Sequence, residues 1–250
     1  MPLTITRFAP ENVSSAEVAK ALVDPRPATY KFEYFTVSGV GAVSRDLLAY
    51  GGVEWEDAVI TKYPAESGSP FGVYPVLHIR TADGLEVKLA EALVIEQYLA
   101  KRFGLLGENE WEEQLIKMHH SSTMYFRERH FMRVVWNFKD RMDTTFDTFM
   151  TQALPVWIET HTKHLKDNGS NGHYVGEKLS LADVLTANAI DFFEVLYRGH
   201  EVVEAIKKSP EIWKVKETVD QEPRLQAWRQ SQGYKDRIAA AKMLYANSGI

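Results

Sequence analysis

A small α/β domain followed by an all-helical one is the fold class this sequence predicts, and three observations predict it. β-Branched and aromatic runs alternate with helical ones between Tyr30 and about Phe103. Beyond "GLLGENE" the strand-like runs stop, and the pattern is helical to the C-terminus. An Asp-Gly turn in "TADG", Thr81 to Gly84, joins two of the strand-like runs. With 250 residues the chain is long enough for two hydrophobic cores. The division expected is an N-terminal extension over residues 1–29, an α/β domain over 30–105 and a helical domain over 110–250.

Within the extension, "SSAEVAKAL" has the signature of a short helix, with Ser14 as cap and Glu17 three residues on. "YKFEYFTV" reads as a strand whose Tyr30, Phe32 and Tyr34 share one face. "SRDLLAY" follows as a helix, then "EWEDAVI", "YPVLHIR" and "LEVKLA" as strands, and "EALVIEQYLAKRF" as a second helix. The turn at "TADG" makes the last two strands antiparallel, because Asp-Gly tolerates the positive φ of a tight hairpin. Pro75 stands out, since a proline has no N–H for a sheet ladder and must mark an edge, a strand start or a bulge.

In the helical part, "KLSLADVLTANAIDFF" shows a clear start. Ser180 and Asp183 form a capping box, and Leu179 can pack on Val184 as a hydrophobic staple. Val184, Leu185, Ala187, Ala189 and Ile190 leave little polar face, so this helix is expected at the centre of its domain. Turns are expected at "KDNGSNGH", around Ser209-Pro210 and from Gln221 to Pro223.

The net charge of −5 gives no general attraction to nucleic acid or to anionic lipid. The absence of cysteine excludes disulfides, zinc–thiolate sites, a Cys-x-x-Cys pair and a cysteine nucleophile. Any thiol chemistry must use a ligand's thiol. The first 29 residues lack the apolar run of a signal peptide, and no run reaches the roughly 18 apolar residues of a membrane span. A soluble, cytoplasmic protein is expected. His119, His120 and His130 lack a zinc-site pattern, and His161 and His164 in "HTKH" have no acidic partner nearby, so solvated helix faces are expected and no metal. Arg127, Arg129 and Arg133 are expected as surface or interface charges.

Four pieces of sequence together resemble the cytosolic glutathione transferases, closest to their sigma-like, tyrosine-using branch. They are "EYF", "PFGVYPVL", "GHYVGEKLSLADV" and "SPEIWKVKETVDQEPRLQAWRQ", and their order and spacing cover nearly all of Tyr30 to Tyr234. The resemblance implies a thioredoxin-like N-terminal domain, an all-α C-terminal domain and a homodimer. It implies glutathione as co-substrate. It further implies a cis bond before Pro75, with Tyr74 pairing through its backbone to the cysteinyl part of glutathione, in the manner of an added half-strand.

By the same resemblance Glu91 and Ala92 hold the γ-glutamyl end, at a helix start where Ala90 is a poor cap. Tyr34 occupies the place of the catalytic tyrosine, whose hydroxyl stabilises the thiolate, with Ser38 as the runner-up. Met118, Tyr125, Met132 and Trp136 recur at helical spacing and suit the wall of an adaptable apolar substrate pocket, although such rows are more often core.

The sequence also departs from the pattern. Val40, Ala42 and Ala92 stand where sigma-like proteins carry arginine, glutamate and serine, while Arg45 is kept. The usual tryptophan before a lysine is replaced around Tyr63, leaving Lys62 as a substitute grip on the glycyl carboxylate. Three functions therefore compete: conjugation of glutathione to a small hydrophobic electrophile, a glutathione-dependent isomerase or biosynthetic step, and a catalytically weak binding protein on the same fold.

Overall fold

The computed structural model describes residues 4–63, 65 and 68–245. It divides into two compact units, Met1–Phe103 and Gly104–Ile250.

The first unit is built on a four-stranded mixed sheet of order β2-β1-β3-β4. Its strands are β1 (Thr29–Phe35), β2 (Trp55–Ile60), β3 (Val76–Arg80) and β4 (Glu86–Ala90). β1 and β2 run parallel, and the other neighbours are antiparallel. Three helices belong to this unit: α1 (Ser15–Leu22), α2 (Ala42–Gly51) and α3 (Ala92–Arg102). As the alternation predicts, Tyr30, Phe32 and Tyr34 are all buried. The hairpin between β3 and β4 turns at Gly84 with φ 81°.

α1 carries the expected capping box between Ser14 and Glu17, yet none of its residues is buried. Ahead of it, the segment from Thr4 to Phe8 is tied down by backbone bonds. Ile5 bridges Ser69, and the Phe8 carbonyl accepts the Lys88 N–H of β4 at 2.7 Å.

One charge organises the covered face of the sheet. Arg45, on α2, is 1% exposed. Its Nε donates to Asp57 Oδ1 on β2 at 3.0 Å, Nη1 to the Val37 carbonyl at 3.0 Å and Nη2 to the Phe35 carbonyl at 3.1 Å. The planar guanidinium also lies 5.4 Å from the Phe32 ring centroid and 5.5 Å from that of Tyr34.

The second unit is helical: α4 (Glu110–His130), α5 (Met142–Thr148), α6 (Leu154–Asp167), α7 (Leu181–Glu194), α8 (Gly199–Ile206), α9 (Pro210–Gln221), α10 (Pro223–Gln230) and α11 (Gln232–Tyr245). Wide π-helical turns at Phe131–Val135 and Phe149–Ala153 follow α4 and precede α6. α7 starts at the predicted capping box, where Asp183 accepts the Ser180 N–H at 2.8 Å and the Tyr174 N–H at 2.8 Å. Apart from Asp191 and Glu194 its residues are buried, and it packs against α4, α8 and α9.

His164 is exposed as expected, but the other four histidines overturn the expectation of solvated faces. His120, His130 and His161 are buried, and His119 is half-buried. His119 stacks on Tyr174 at 4.7 Å between centroids, and His161 shares a 2.7 Å hydrogen bond between Nδ1 and the Tyr174 hydroxyl. His130 stacks on Phe149 at 4.5 Å, and neither of its nitrogens has a hydrogen-bond partner among the described residues. A neutral imidazole packs as a flat aromatic ring, which is why these positions accept it. Arg127 is corrected likewise. It is buried, with its guanidinium 5.2 Å from the Phe192 ring centroid.

Burial holds these imidazoles neutral: His119 is lowered to about 4, and His130 and His161 to about 3, with neighbouring histidines adding to the shift at 119 and 161. An unfolded histidine takes up its proton near 6.5, so between about pH 6.5 and pH 4 the unfolded chain binds protons that the native fold refuses. Stability therefore falls on acidification through that window, by up to about 1.4 kcal/mol per pH unit for each neutral histidine. Urea unfolding from pH 7 to pH 4 is expected to show this slope, and His130→Phe to flatten it by one histidine's share. Arg45→Met should destabilise by about 3 kcal/mol or more, because Asp57 and two carbonyls lose a buried partner. Urea unfolding measures this too, with hydrogen exchange expected to accelerate at residues 36–41.

Candidate functional site

β1 delivers Tyr34 to the covered face of the sheet, where the phenol is 7% exposed. Just downstream, Gly39–Gly41 forms a 3-10 turn that Gly39 enters at φ 43°. A Cβ on Gly39 would lie 2.6 Å from the Tyr34 hydroxyl, and one on Gly41 would lie 2.5 Å from its ring. The two glycines therefore make the space in which the phenol sits and seat its hydroxyl against the loop. Sequence reasoning missed this role. The available signal was "SGVG" following the strand that ends in "EYF". Ser38 is buried in the same loop, and its hydroxyl has no hydrogen-bond partner among the described residues.

The loop between β2 and β3 brings two further aromatics to the end of β1. The Phe35 ring lies 5.3 Å from Tyr34, 6.2 Å from Tyr63 and 6.2 Å from Tyr74. Tyr63 donates its hydroxyl to the Gly72 carbonyl at 2.7 Å. Lys62 is exposed beside it. The Tyr74–Pro75 bond is cis, as the resemblance implies. The ladder of β3 begins one residue later, at Val76, which pairs with Glu33 and with Ala90. Tyr74 thus stands just ahead of the sheet.

Glu91 joins β4 to α3 and adopts φ 71°, ψ 119°. Such a backbone costs a non-glycine residue of order 1–3 kcal/mol and is characteristic of ligand sites. The Glu91 carbonyl accepts the N–H groups of Val94 and Ile95 at 3.1 and 3.0 Å. The Glu91 side chain makes no capping hydrogen bond to the helix. The expected weak cap at Ala90 is thereby moved by one residue, because Ala90 is still engaged with Val76 in the sheet. Ala92 is the first helical residue, and it brings no hydroxyl to this start.

In the helical unit, Met118, Tyr125, Met132 and Trp136 are not core. They are exposed by 52%, 65%, 59% and 46%, on α4 and in the turns that follow it. A cavity of about 90 Å³ near the end of α4 is lined by Val134, Phe149 and Ala153 as well as by Arg129, Arg133, Thr145, Thr148 and Gln152. A larger one of about 440 Å³ lies between Gly104 to Glu112 and Val175 to Ser180. Among the described residues no group of three His, Cys, Asp or Glu could hold a metal ion, and no helix is long and apolar enough to cross a membrane.

A family model described as the C-terminal domain of glutathione S-transferase matches residues 128–232. Probable glutathione S-transferase 9 of Caenorhabditis elegans is 30% identical over 206 residues, which span 78% of this chain and 97% of the relative. A glutathione S-transferase of Anopheles gambiae is 31% identical over 172 residues, spanning 67% of this chain and 80% of its own. Among solved structures, prostaglandin synthase D of Nilaparvata lugens superposes with a TM-score of 0.70 at 26% identity, over 82% of this chain and 98% of that one. A thioredoxin-like sheet domain, a helical second domain and a relative matched over nearly its whole length lead to one assignment: the chain belongs to the glutathione S-transferase family.

Proposed function

We propose that this enzyme activates the thiol of glutathione with the Tyr34 hydroxyl, for conjugation to a small hydrophobic electrophile. The observation that carries this reading is the seating of Tyr34, whose hydroxyl is held against the Gly39–Gly41 turn at the end of β1. A thiol with an ordinary pKa near 8.5 is only a few per cent ionised at neutral pH, and a hydrogen bond donated to sulfur favours the thiolate.

The other residues fit the parts of the peptide. The uncapped start of α3 presents backbone N–H groups suited to the γ-glutamyl carboxylate, and the exposed Glu91 side chain can hold the ammonium beside it. Tyr74, ahead of the β3 ladder, pairs with the cysteinyl backbone. Lys62 and Tyr63 take the glycyl end. Met118, Tyr125, Met132 and Trp136 are proposed as the apolar wall for the electrophile, and a homodimer as the working state.

A second reading has an observation of its own. The similarity to prostaglandin synthase D favours a glutathione-dependent isomerase or biosynthetic enzyme with a specific substrate. A third, a binding protein without catalysis, draws on the missing polar groups at Val40, Ala42 and Ala92. Calorimetric titration with glutathione followed by turnover of an aryl halide separates the three. Binding with turnover supports conjugation, binding without it the isomerase, and no binding the third.

Tyr34→Phe is expected to raise the pKa of bound glutathione's thiol by about 1–2 units, the worth of one hydrogen bond to a charged group. Ultraviolet titration of the thiolate at saturating glutathione reads this, and identical curves would transfer the role to Ser38. Ala92→Ser should tighten glutathione about tenfold by adding a hydroxyl donor at the helix start. Calorimetry with the thermal midpoint as control checks it, and an unchanged constant would place the carboxylate elsewhere.

A further inference from the structure

We infer that Ser69 is a positioning residue for the glutathione-docking edge, braced from behind by the N-terminal arm. The inference rests on the docking of glutathione at Tyr74 proposed above.

Ser69 is 1% exposed and is held on two sides. Behind it lies the arm. Ser69 N–H donates to the Thr4 carbonyl at 3.2 Å, and the Thr6 N–H donates to the Ser69 carbonyl at 3.3 Å. The approach is so close that a Cβ on the neighbouring Gly68, at φ 66°, would lie 2.6 Å from the Thr4 carbonyl oxygen. The arm is itself anchored to β4, since Lys88 N–H donates to the Phe8 carbonyl at 2.7 Å and Lys88 Nζ to Thr6 Oγ1 at 3.2 Å. The Phe8 ring adds an edge contact to Phe71 at 5.3 Å.

In front, Ser69 Oγ donates to the Val73 carbonyl at 2.6 Å, and the Ser69 carbonyl accepts the Gly72 N–H at 3.3 Å. The Val73 carbonyl belongs to the same planar peptide group as the Tyr74 N–H, and across a trans peptide the two point in opposite directions. Fixing one therefore aims the other. Four links connect β4 to the docking residue: Lys88 holds the arm, the arm holds Ser69, Ser69 holds the Val73 carbonyl, and that carbonyl sets the direction of the Tyr74 N–H. Alanine at position 69 would keep the backbone bonds to the arm but lose the last constraint, and threonine would add a methyl group where almost no surface is open.

Ser69→Ala and Thr6→Pro in the full chain test this, the second removing the arm's N–H donor to Ser69 without shortening the protein. Ser69→Ala is expected to raise the dissociation constant and KM for glutathione about threefold to tenfold, the worth of one neutral hydrogen bond. kcat at saturating glutathione and the pKa of the bound thiol should stay as in wild type, which a general loosening of the fold would not spare. Thr6→Pro should shift affinity in the same direction, and the double variant should be no weaker than Ser69→Ala alone, because both act along one series of links. Wild-type affinity in folded Ser69→Ala overturns the inference, as does a fall in kcat at unchanged KM. Should the thermal midpoint show Ser69→Ala unfolded, Thr6→Pro decides: wild-type affinity there overturns it. Failure of the underlying reading looks different, since wild type itself would then not bind glutathione, and the role of Ser69 falls with it.

Discussion

The Arg45 guanidinium is the interaction on which the first unit depends. Removing a charge from water is costly, and here the cost is offset by an ion pair to Asp57, two carbonyls and two aromatic faces. The carbonyls belong to Phe35 and Val37, the last residue of β1 and a residue of the loop that follows. The strand end that presents Tyr34, and the turn that seats its hydroxyl, are thus fastened to α2 and to β2 through one side chain. A lysine could supply the charge but not the fork of donors that spans three acceptors.

The helical unit is held by different means. Its centre is α7, almost wholly buried, with a ring-rich layer in which Phe126 stacks on Trp157 at 4.6 Å and neutral histidines fill aromatic positions. Imidazoles kept neutral by burial can pack this way only while the solvent is not acidic enough to charge them. The hydrogen bond between His161 and Tyr174 links this layer to the loop ahead of α7, where Asp183 holds the Tyr174 N–H.

Much of this was legible in the sequence because it is written in local patterns. Alternation placed the strands, Asp-Gly placed the hairpin, and the boxes at Ser14–Glu17 and Ser180–Asp183 marked two helix starts. Family membership was legible from the order of four motifs, none of which is specific alone. The histidines were not legible, since spacing along α4 and α6 does not say which polar ring will stack on a phenylalanine from another helix. Nor was the backbone of Glu91, where a non-glycine residue takes a conformation that propensity disfavours. The part played by Gly39 and Gly41 depends on how near Tyr34 comes, a fact of tertiary packing.

The arm from Thr4 to Phe8 has an effect beyond the loop it braces. β4 is a terminal strand of the sheet, and its outward Lys88 N–H is a ready acceptor-seeking group for any extended chain that approaches. The Phe8 carbonyl already satisfies it. The arm therefore covers this point of the sheet edge, and a chain clipped between the arm and α1 would leave the Lys88 N–H open there. Such a product would tend to join other copies strand to strand, so the arm bears on colloidal behaviour as well as on architecture.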